Sequence, residues 1–170
     1  MQWRISAVLP ILAILAGATG CQRPATDDLF ELNGRMFIFN YRIAYATYVI
    51  TLLRVRDIED GMRFVAKFEN PAGENALVVE RKIFPAQAKL VIESPHIECV
   101  RKERPYGFEV KIYDAAGGLI QSLEGKVKSS LDQSILPALP LTKGPAYDRN
   151  EAAYNANGEI ILRDMTACPK

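Results

Sequence analysis

Histidine and cysteine are scarce in this chain, with one histidine and three cysteines among 170 residues. So few imidazole and thiol groups leave little material for a transition-metal site, and we predict none. An excess of charge is also missing, because 21 basic residues stand against 20 acidic ones. Net charge therefore gives no support for attraction to nucleic acid, and no such partner is expected. We find no catalytic signature in the sequence and expect no cofactor.

An apolar run long enough to cross a membrane is missing as well. The run from Ile5 to Ala16 continues through small residues to Gly20. As a helix it would span roughly 24 Å, short of the ~30 Å hydrocarbon core. One positive charge at Arg4 before the run, and small residues after it, give the layout of a secretory signal. We predict that residues 1–20 are a signal peptide.

The cysteine at position 21 directly follows Ala18-Thr19-Gly20. This junction resembles the lipobox of bacterial lipoproteins, although Ala18 stands where leucine is usual. The resemblance implies that Cys21 is lipidated and becomes the N-terminus, so that acyl chains anchor the protein in a membrane. Because Gln22 rather than aspartate follows, it also implies the periplasmic face of the outer membrane. The alternative is an ordinary signal peptide, an incidental cysteine and a soluble periplasmic protein.

The other two cysteines, Cys99 and Cys168, then lie in an oxidising compartment, where two leftover cysteines favour a disulfide. Their spacing excludes a CxxC redox motif. The alternative is a pair of unpaired thiols.

Period-two alternation dominates the first part of the mature chain. From Phe37 to Val55 every odd position is apolar or threonine, which predicts β-structure. One strand of this length would be unusually long, so we predict two strands, broken near Asn40-Tyr41-Arg42. We interpret the odd positions as the core face of a sheet. The alternative is a platform that stacks on sugars or bases.

Short apolar or alternating segments continue to the C-terminus, separated by turn sequences every 8 to 12 residues. This spacing, without a convincing helix, predicts a single all-β domain over residues 30–170, a sandwich rather than a barrel. Residues 21–29 would be the lipidated cysteine and a polar tether. Residues 146–156 could form one or two helical turns. The predicted later strands are 62–68, 76–84, 88–93, 106–113, 119–127 and 159–163.

A second similarity rests on the order of strands and turns over residues 46–142. The segments that carry it are 65–70, 76–85, 89–95, 106–118 and 139–142. This order is similar to the small β-sandwich lipoproteins that include the pilotin-like chaperones of type III secretion. The resemblance implies an immunoglobulin-like antiparallel sandwich that binds protein segments, and it supplies no catalytic residues.

One constellation invites a catalytic interpretation, namely Ser94, His96 and Glu98. Side chains two residues apart on a strand lie on the same face but do not contact each other. The serine also lacks the flanking glycines of the sharp turn that presents a nucleophilic serine in hydrolases. We therefore predict that His96 is a loop or strand-end residue. Basic residues at 54–56, 81–82 and 101–104 are interleaved with glutamates, which favours a solvated face of mixed charge. The alternative is a positive face toward anionic lipid or polysaccharide.

The sequence thus predicts a lipid-anchored, non-catalytic binding or chaperone-like module of the bacterial envelope, with a protein partner in the periplasm. A structural component of an envelope complex is the alternative, and an enzyme comes third. The sequence assigns no ligand-binding residues.

Overall fold

The computed structural model describes residues 27–73 and 75–169, and in this part of the chain the regular structure is almost wholly antiparallel β-sheet. Two single-turn 3₁₀ segments, Gln133–Ile135 and Glu151–Ala153, are the helical elements described. The strands are β1 Phe30–Asn40, β2 Tyr45–Arg54, β3 Arg63–Phe68, β4 Leu77–Lys82, β5 Lys89–Glu93, β6 Pro105–Tyr113, β7 Leu119–Lys128, β8 Thr142–Lys143 and β9 Asp148–Arg149.

Two sheets form the sandwich. Sheet A has the order β1-β2-β5, and sheet B has the order β4-β3-β6-β7. Seven antiparallel strands divided in this way make an immunoglobulin-like arrangement, in which the fourth strand pairs with the third instead of joining the first sheet. The predicted all-β, single-domain sandwich is confirmed.

The sandwich has two ends with different roles. The near end carries the start of β1, the loops 55–62 and 83–88, and the turn 114–118. The far end carries the turns 41–44 and 69–76, the loop 94–104 and the chain after β7. The N-terminal segment enters at the near end, so the far end points away from the predicted anchor.

The predicted break between the first two strands is confirmed, but the predicted core face is wrong for β2. The turn at residues 41–44 sets a register in which Phe37 pairs with Tyr48 and Phe39 with Ala46. Partners in an antiparallel pair point to the same side, so even positions face the core in β2, and odd positions face it in β1 after the irregularity between Leu32 and Gly34. Val49 and its odd neighbours in β2 therefore point outward.

Aromatic rings join the two sheets across the core. Tyr48 of sheet A lies 5.2 Å from Phe68 of sheet B between ring centroids, and Phe37 lies 5.6 Å from Tyr106 edge to face. The buried Tyr48 hydroxyl donates to the carbonyl of Glu69 at 2.8 Å. Both sheets are thereby fixed to each other at the far end by apolar contact and by a satisfied polar group.

Tyr106 ties the loop before β6 to the core. Its hydroxyl accepts a hydrogen bond from the backbone N–H of Arg101 at 2.7 Å and donates to the carbonyl of Cys99 at 3.3 Å. A tyrosine near the start of this strand that bonds to the backbone upstream is the tyrosine corner of immunoglobulin-like domains.

The side chains of two buried glutamines hydrogen-bond to backbone groups at places where no neighbouring strand pairs with them. The side chain of Gln121 in β7 accepts from the N–H of Phe30 at 3.1 Å and donates to its carbonyl at 2.7 Å, which closes the side between the sheets. Gln133 accepts from Val100 N–H at 3.0 Å and donates to the Ile97 carbonyl at 2.9 Å. It attaches the chain after β7 to the far end.

We name residues 129–169 the C-terminal extension. The predicted strand 159–163 is wrong in part, because it makes only isolated bridges at Ile160 and Leu162. The helical turn expected within 146–156 is confined to Glu151–Ala153, since β9 occupies residues just before it. The extension has few buried apolar side chains, so side-chain hydrophobicity alone does not hold it in a regular sheet.

Further contacts also hold the extension to the far end. The N–H of Leu141 donates to the Arg42 carbonyl at 2.8 Å. Arg163 donates to the Ala44 carbonyl at 2.7 Å and pairs with Glu98 at 2.6 Å. Cys99 and Cys168 form a disulfide, as predicted.

Removing the disulfide should loosen the C-terminal extension while the sandwich stays folded. We expect Cys99→Ala/Cys168→Ala to lower the free energy of unfolding by roughly 2 to 4 kcal/mol and to increase proteolysis after residue 145. Denaturant titration and limited proteolysis measure this, with Cys21→Ser as the control that keeps the disulfide. Non-reducing peptide mapping that recovers both cysteines as free thiols would contradict the pairing.

Replacing Tyr48 should test the polar bond between the sheets. Burial raises the pKa of Tyr48 above its ordinary value of 10.0, with Glu69 and Tyr106 contributing. A raised folded-state pKa stabilises the fold fully below pH 10, and this contribution is lost as pH rises above it. Tyr48→Phe should cost about 1–2 kcal/mol at neutral pH and make the loss of stability above pH 10 less steep.

Unfolding titrations between pH 7 and pH 11 would measure both effects, with Tyr41→Phe in an exposed turn as the control. An unchanged alkaline slope in Tyr48→Phe would disprove the role assigned to this hydroxyl.

Candidate functional site

The outer side of sheet A presents an apolar surface. We define the apolar face as Met36, Ile38, Val49, Thr51 and Val91. Met36 pairs with Val49 and Thr51 pairs with Val91, so these side chains stand side by side across the three strands. Met36 is 56% exposed, Ile38 43% and Val91 64%. Apolar side chains of three strands are thus open to solvent on one continuous surface.

The outer side of sheet B is charged instead. Arg63 pairs with Glu80 at 3.0 Å, and Lys111 pairs with Glu109 at 2.8 Å. Charges of both signs are mixed there, as in an ordinary solvated face, and exposed ion pairs of this kind contribute little to stability. The outward charged side chains of this sheet are Arg63, Lys67, Glu80, Lys82, Glu109, Lys111, Glu124, Lys126 and Lys128.

Polar contacts border the apolar face on the side of β5. The Thr47 hydroxyl donates to the Glu93 carboxylate at 2.9 Å. The rings of Tyr45 and His96 stack with centroids 3.5 Å apart and planes 16° apart. An apolar centre with a polar rim is the arrangement of protein–protein interfaces.

The three residues weighed as a catalytic set have separate partners. Ser94 is buried, accepts from the N–H of Tyr48 at 3.0 Å and donates to the Pro95 carbonyl at 2.7 Å. His96 stacks on Tyr45, and Glu98 pairs with Arg163. The structure therefore uses each of them in a local contact and does not bring them together.

The basic residues of the loop 94–104 also have local roles. Arg104 pairs with Glu69 at 2.9 Å and covers the Tyr106 ring at 4.4 Å. Arg101 donates to the carbonyl of Pro169 at 3.2 Å. These contacts fix the far end and do not form a uniform positive face.

The predicted signal peptide, the lipidation residue Cys21 and the first part of the tether lie outside the described residues. Within residues 27–73 and 75–169, no helix is long and apolar enough to cross a membrane. Nor do these ranges contain three or more His, Cys, Asp or Glu side chains grouped to hold a metal ion.

No protein-family model matches the sequence, and no curated protein matches it.

Sequence reasoning missed the apolar face, although a signal for it exists. Both odd and even positions of residues 45–53 are largely apolar. An antiparallel sheet with one solvated face shows apolar residues at alternate positions only. A strand that is apolar on both sides therefore indicates that its second face is used as well.

Proposed function

We propose that this protein is a lipid-anchored, non-catalytic binding module of the bacterial envelope that docks a partner protein through its apolar face. The observation that carries the proposal is the contrast between the two outer faces. The outer side of sheet B is rich in charged side chains, including the Arg63–Glu80 and Lys111–Glu109 pairs, whereas sheet A exposes Met36, Ile38 and Val91. Contiguous exposed apolar surface on a soluble domain is typical of interaction sites.

The chemistry at the border favours a protein over a lipid surface as the occupant. Binding to anionic lipid draws on clusters of lysine and arginine beside the apolar residues. Glu31, Lys89 and Glu93 flank this face, so the charges beside it are mixed. Stacked rings at Tyr45 and His96 and the Thr47–Glu93 bond offer the polar rim that a protein partner would meet.

The anchor supports the same function by restricting where the module works. Residues 21–29, fully extended, span at most about 30 Å, so lipidation at Cys21 would keep the near end close to the bilayer. The apolar face runs along the side of the sandwich, where a neighbouring envelope protein would reach it. The similarity to small pilotin-like lipoproteins agrees with binding of protein segments.

The anchor has a direct test. Cys21→Ser should abolish acylation and release the protein into a soluble or uncleaved form. Metabolic labelling with an alkyne fatty acid, followed by fractionation, measures both outcomes. Label retained at the wild-type level in the variant would refute the lipoprotein assignment.

The docking face can be tested with two exposed valines on opposite sides of the sandwich. Val91 lies on the apolar face and is 64% exposed, whereas Val78 lies on the outer side of sheet B and is 53% exposed. A photo-crosslinking amino acid at position 91 should trap a discrete protein in intact cells, and one at position 78 should not. Adding Met36→Glu to the position-91 probe should abolish the crosslink without changing the melting temperature.

Three results would overturn the docking proposal. They are equal crosslinking from positions 78 and 91, crosslinking to lipid only, and a crosslink that Met36→Glu leaves unchanged.

A further inference from the structure

A cleft lies at the far end, between the β1–β2 turn and the C-terminal extension. Its volume is about 570 Å³, and its walls include three tyrosines and two arginines. This volume is within the range of small-molecule binding sites. The side chains that matter here are Tyr41, Arg42, Tyr147, Arg149 and Tyr154.

Backbone hydrogen bonds fix the two walls of this cleft relative to each other. Leu141 N–H donates to the Arg42 carbonyl at 2.8 Å, and Asn150 N–H donates to the Leu141 carbonyl at 2.9 Å. The Asn150 side chain also donates to the Pro140 carbonyl at 2.7 Å. The cleft is therefore formed before any ligand arrives, and less ordering is required on binding.

Both guanidinium groups lie over tyrosine rings. The Arg149 guanidinium is 3.9 Å from the centroid of Tyr154, and that of Arg42 is 5.7 Å from the centroid of Tyr147. A cation–π contact does not use up the N–H donors of a guanidinium, which remain able to bind a carboxylate. The Glu151 carboxylate lies 3.3 Å from the Nε of Arg149.

No acidic residue is among the described residues that line the cleft. Within that part of the chain Arg42 also has no carboxylate in ion-pair contact, so its charge is available to a ligand.

Tyr147 occupies an unfavourable backbone conformation. Its φ is +58°, in the left-handed region, and its side chain is 66% exposed. For a bulky residue this conformation costs of order 1 kcal/mol, and such strain concentrates at binding sites. Tyr147 closes the turn between β8 and β9, where its N–H donates to the Gly144 carbonyl at 3.3 Å, and its exposed ring lies beside Arg42 at one wall of the cleft.

We propose that the cleft binds a carboxylate-bearing saccharide chain. Tyrosine rings offer flat apolar faces with a hydroxyl at the edge, which match the C–H face and the hydroxyl groups of a sugar ring. Arg42 and Arg149 bind the carboxylate through their in-plane N–H groups. That this saccharide belongs to the envelope rests on the proposed anchor. Strand β1 alone is about 35 Å long, so the cleft would face away from the bilayer.

The test uses the full-length protein in detergent and a defined probe, an oligouronate with free carboxylates, with its methyl ester as the neutral counterpart. Titration calorimetry should show that the oligouronate binds and that esterification weakens binding about tenfold or more, the loss expected for a hydrogen bond to a charged group. Arg42→Ala and Tyr147→Gly should each have a comparable effect. Glycine at position 147 keeps the left-handed backbone, so that change removes the ring alone.

Arg35→Ala, which removes an exposed arginine at the side of the sandwich, is the matched control and should bind as the wild type does. The proposal is overturned if the ester binds equally well, if Arg35→Ala weakens binding as much as Arg42→Ala, or if an oligoglutamate peptide binds as tightly as the oligouronate. Because binding is measured without a membrane or a partner protein, failure here leaves the anchor and the docking face untouched.

Discussion

The aromatic contact between Tyr48 and its partners in sheet B is the interaction on which the rest of this structure depends. The two sheets share few other polar links in the core, and the ring of Tyr48 meets Phe68 while its hydroxyl reaches the Glu69 carbonyl. The turn after β3 is therefore tied to β2. Tyr106, which meets Tyr48 at 6.4 Å edge to face, ties the loop before β6 to the same cluster. A buried hydroxyl without a partner would cost free energy, so the sheets and the far-end loops have to be in place together.

The inward orientation of Tyr48 also determines which side chains lie on the outer face of sheet A. Once Tyr48 points into the core, Val49 has to point out, because neighbouring side chains on a strand alternate. The turn at 41–44 then brings Met36 beside Val49. A change of one residue in the length of this turn would place Met36 and Ile38 inside and Phe37 outside. The aromatic core and the apolar face are two consequences of one register.

The same register explains which parts of the structure could be predicted from the sequence alone. Strand β3 was predicted on the correct face because polar residues such as Arg63 and Lys67 mark its outer side. In β2 both sides are apolar, so the pattern fits either face, and the choice depends on pairing with β1. The disulfide could be predicted because, with Cys21 assigned to lipidation, Cys99 and Cys168 were the two remaining cysteines. The cleft between tyrosine and arginine side chains could not be predicted. Strands β8 and β9 have two residues each, too few for any periodicity, and their position depends on long-range hydrogen bonds.

The two candidate sites differ in what holds them. The apolar face stands on long strands whose inner sides form the core, so its geometry is as stable as the domain itself. The cleft has one wall on the C-terminal extension, where Leu136, Pro137 and Ala153 are the buried apolar side chains described. So little buried surface cannot offset the entropy of ordering a segment of this length. The hydrogen bonds at Gln133 and Arg163 and the Cys99–Cys168 disulfide have to supply the difference. The geometry of the cleft is therefore coupled to the Cys99–Cys168 disulfide, whereas the geometry of the apolar face is not.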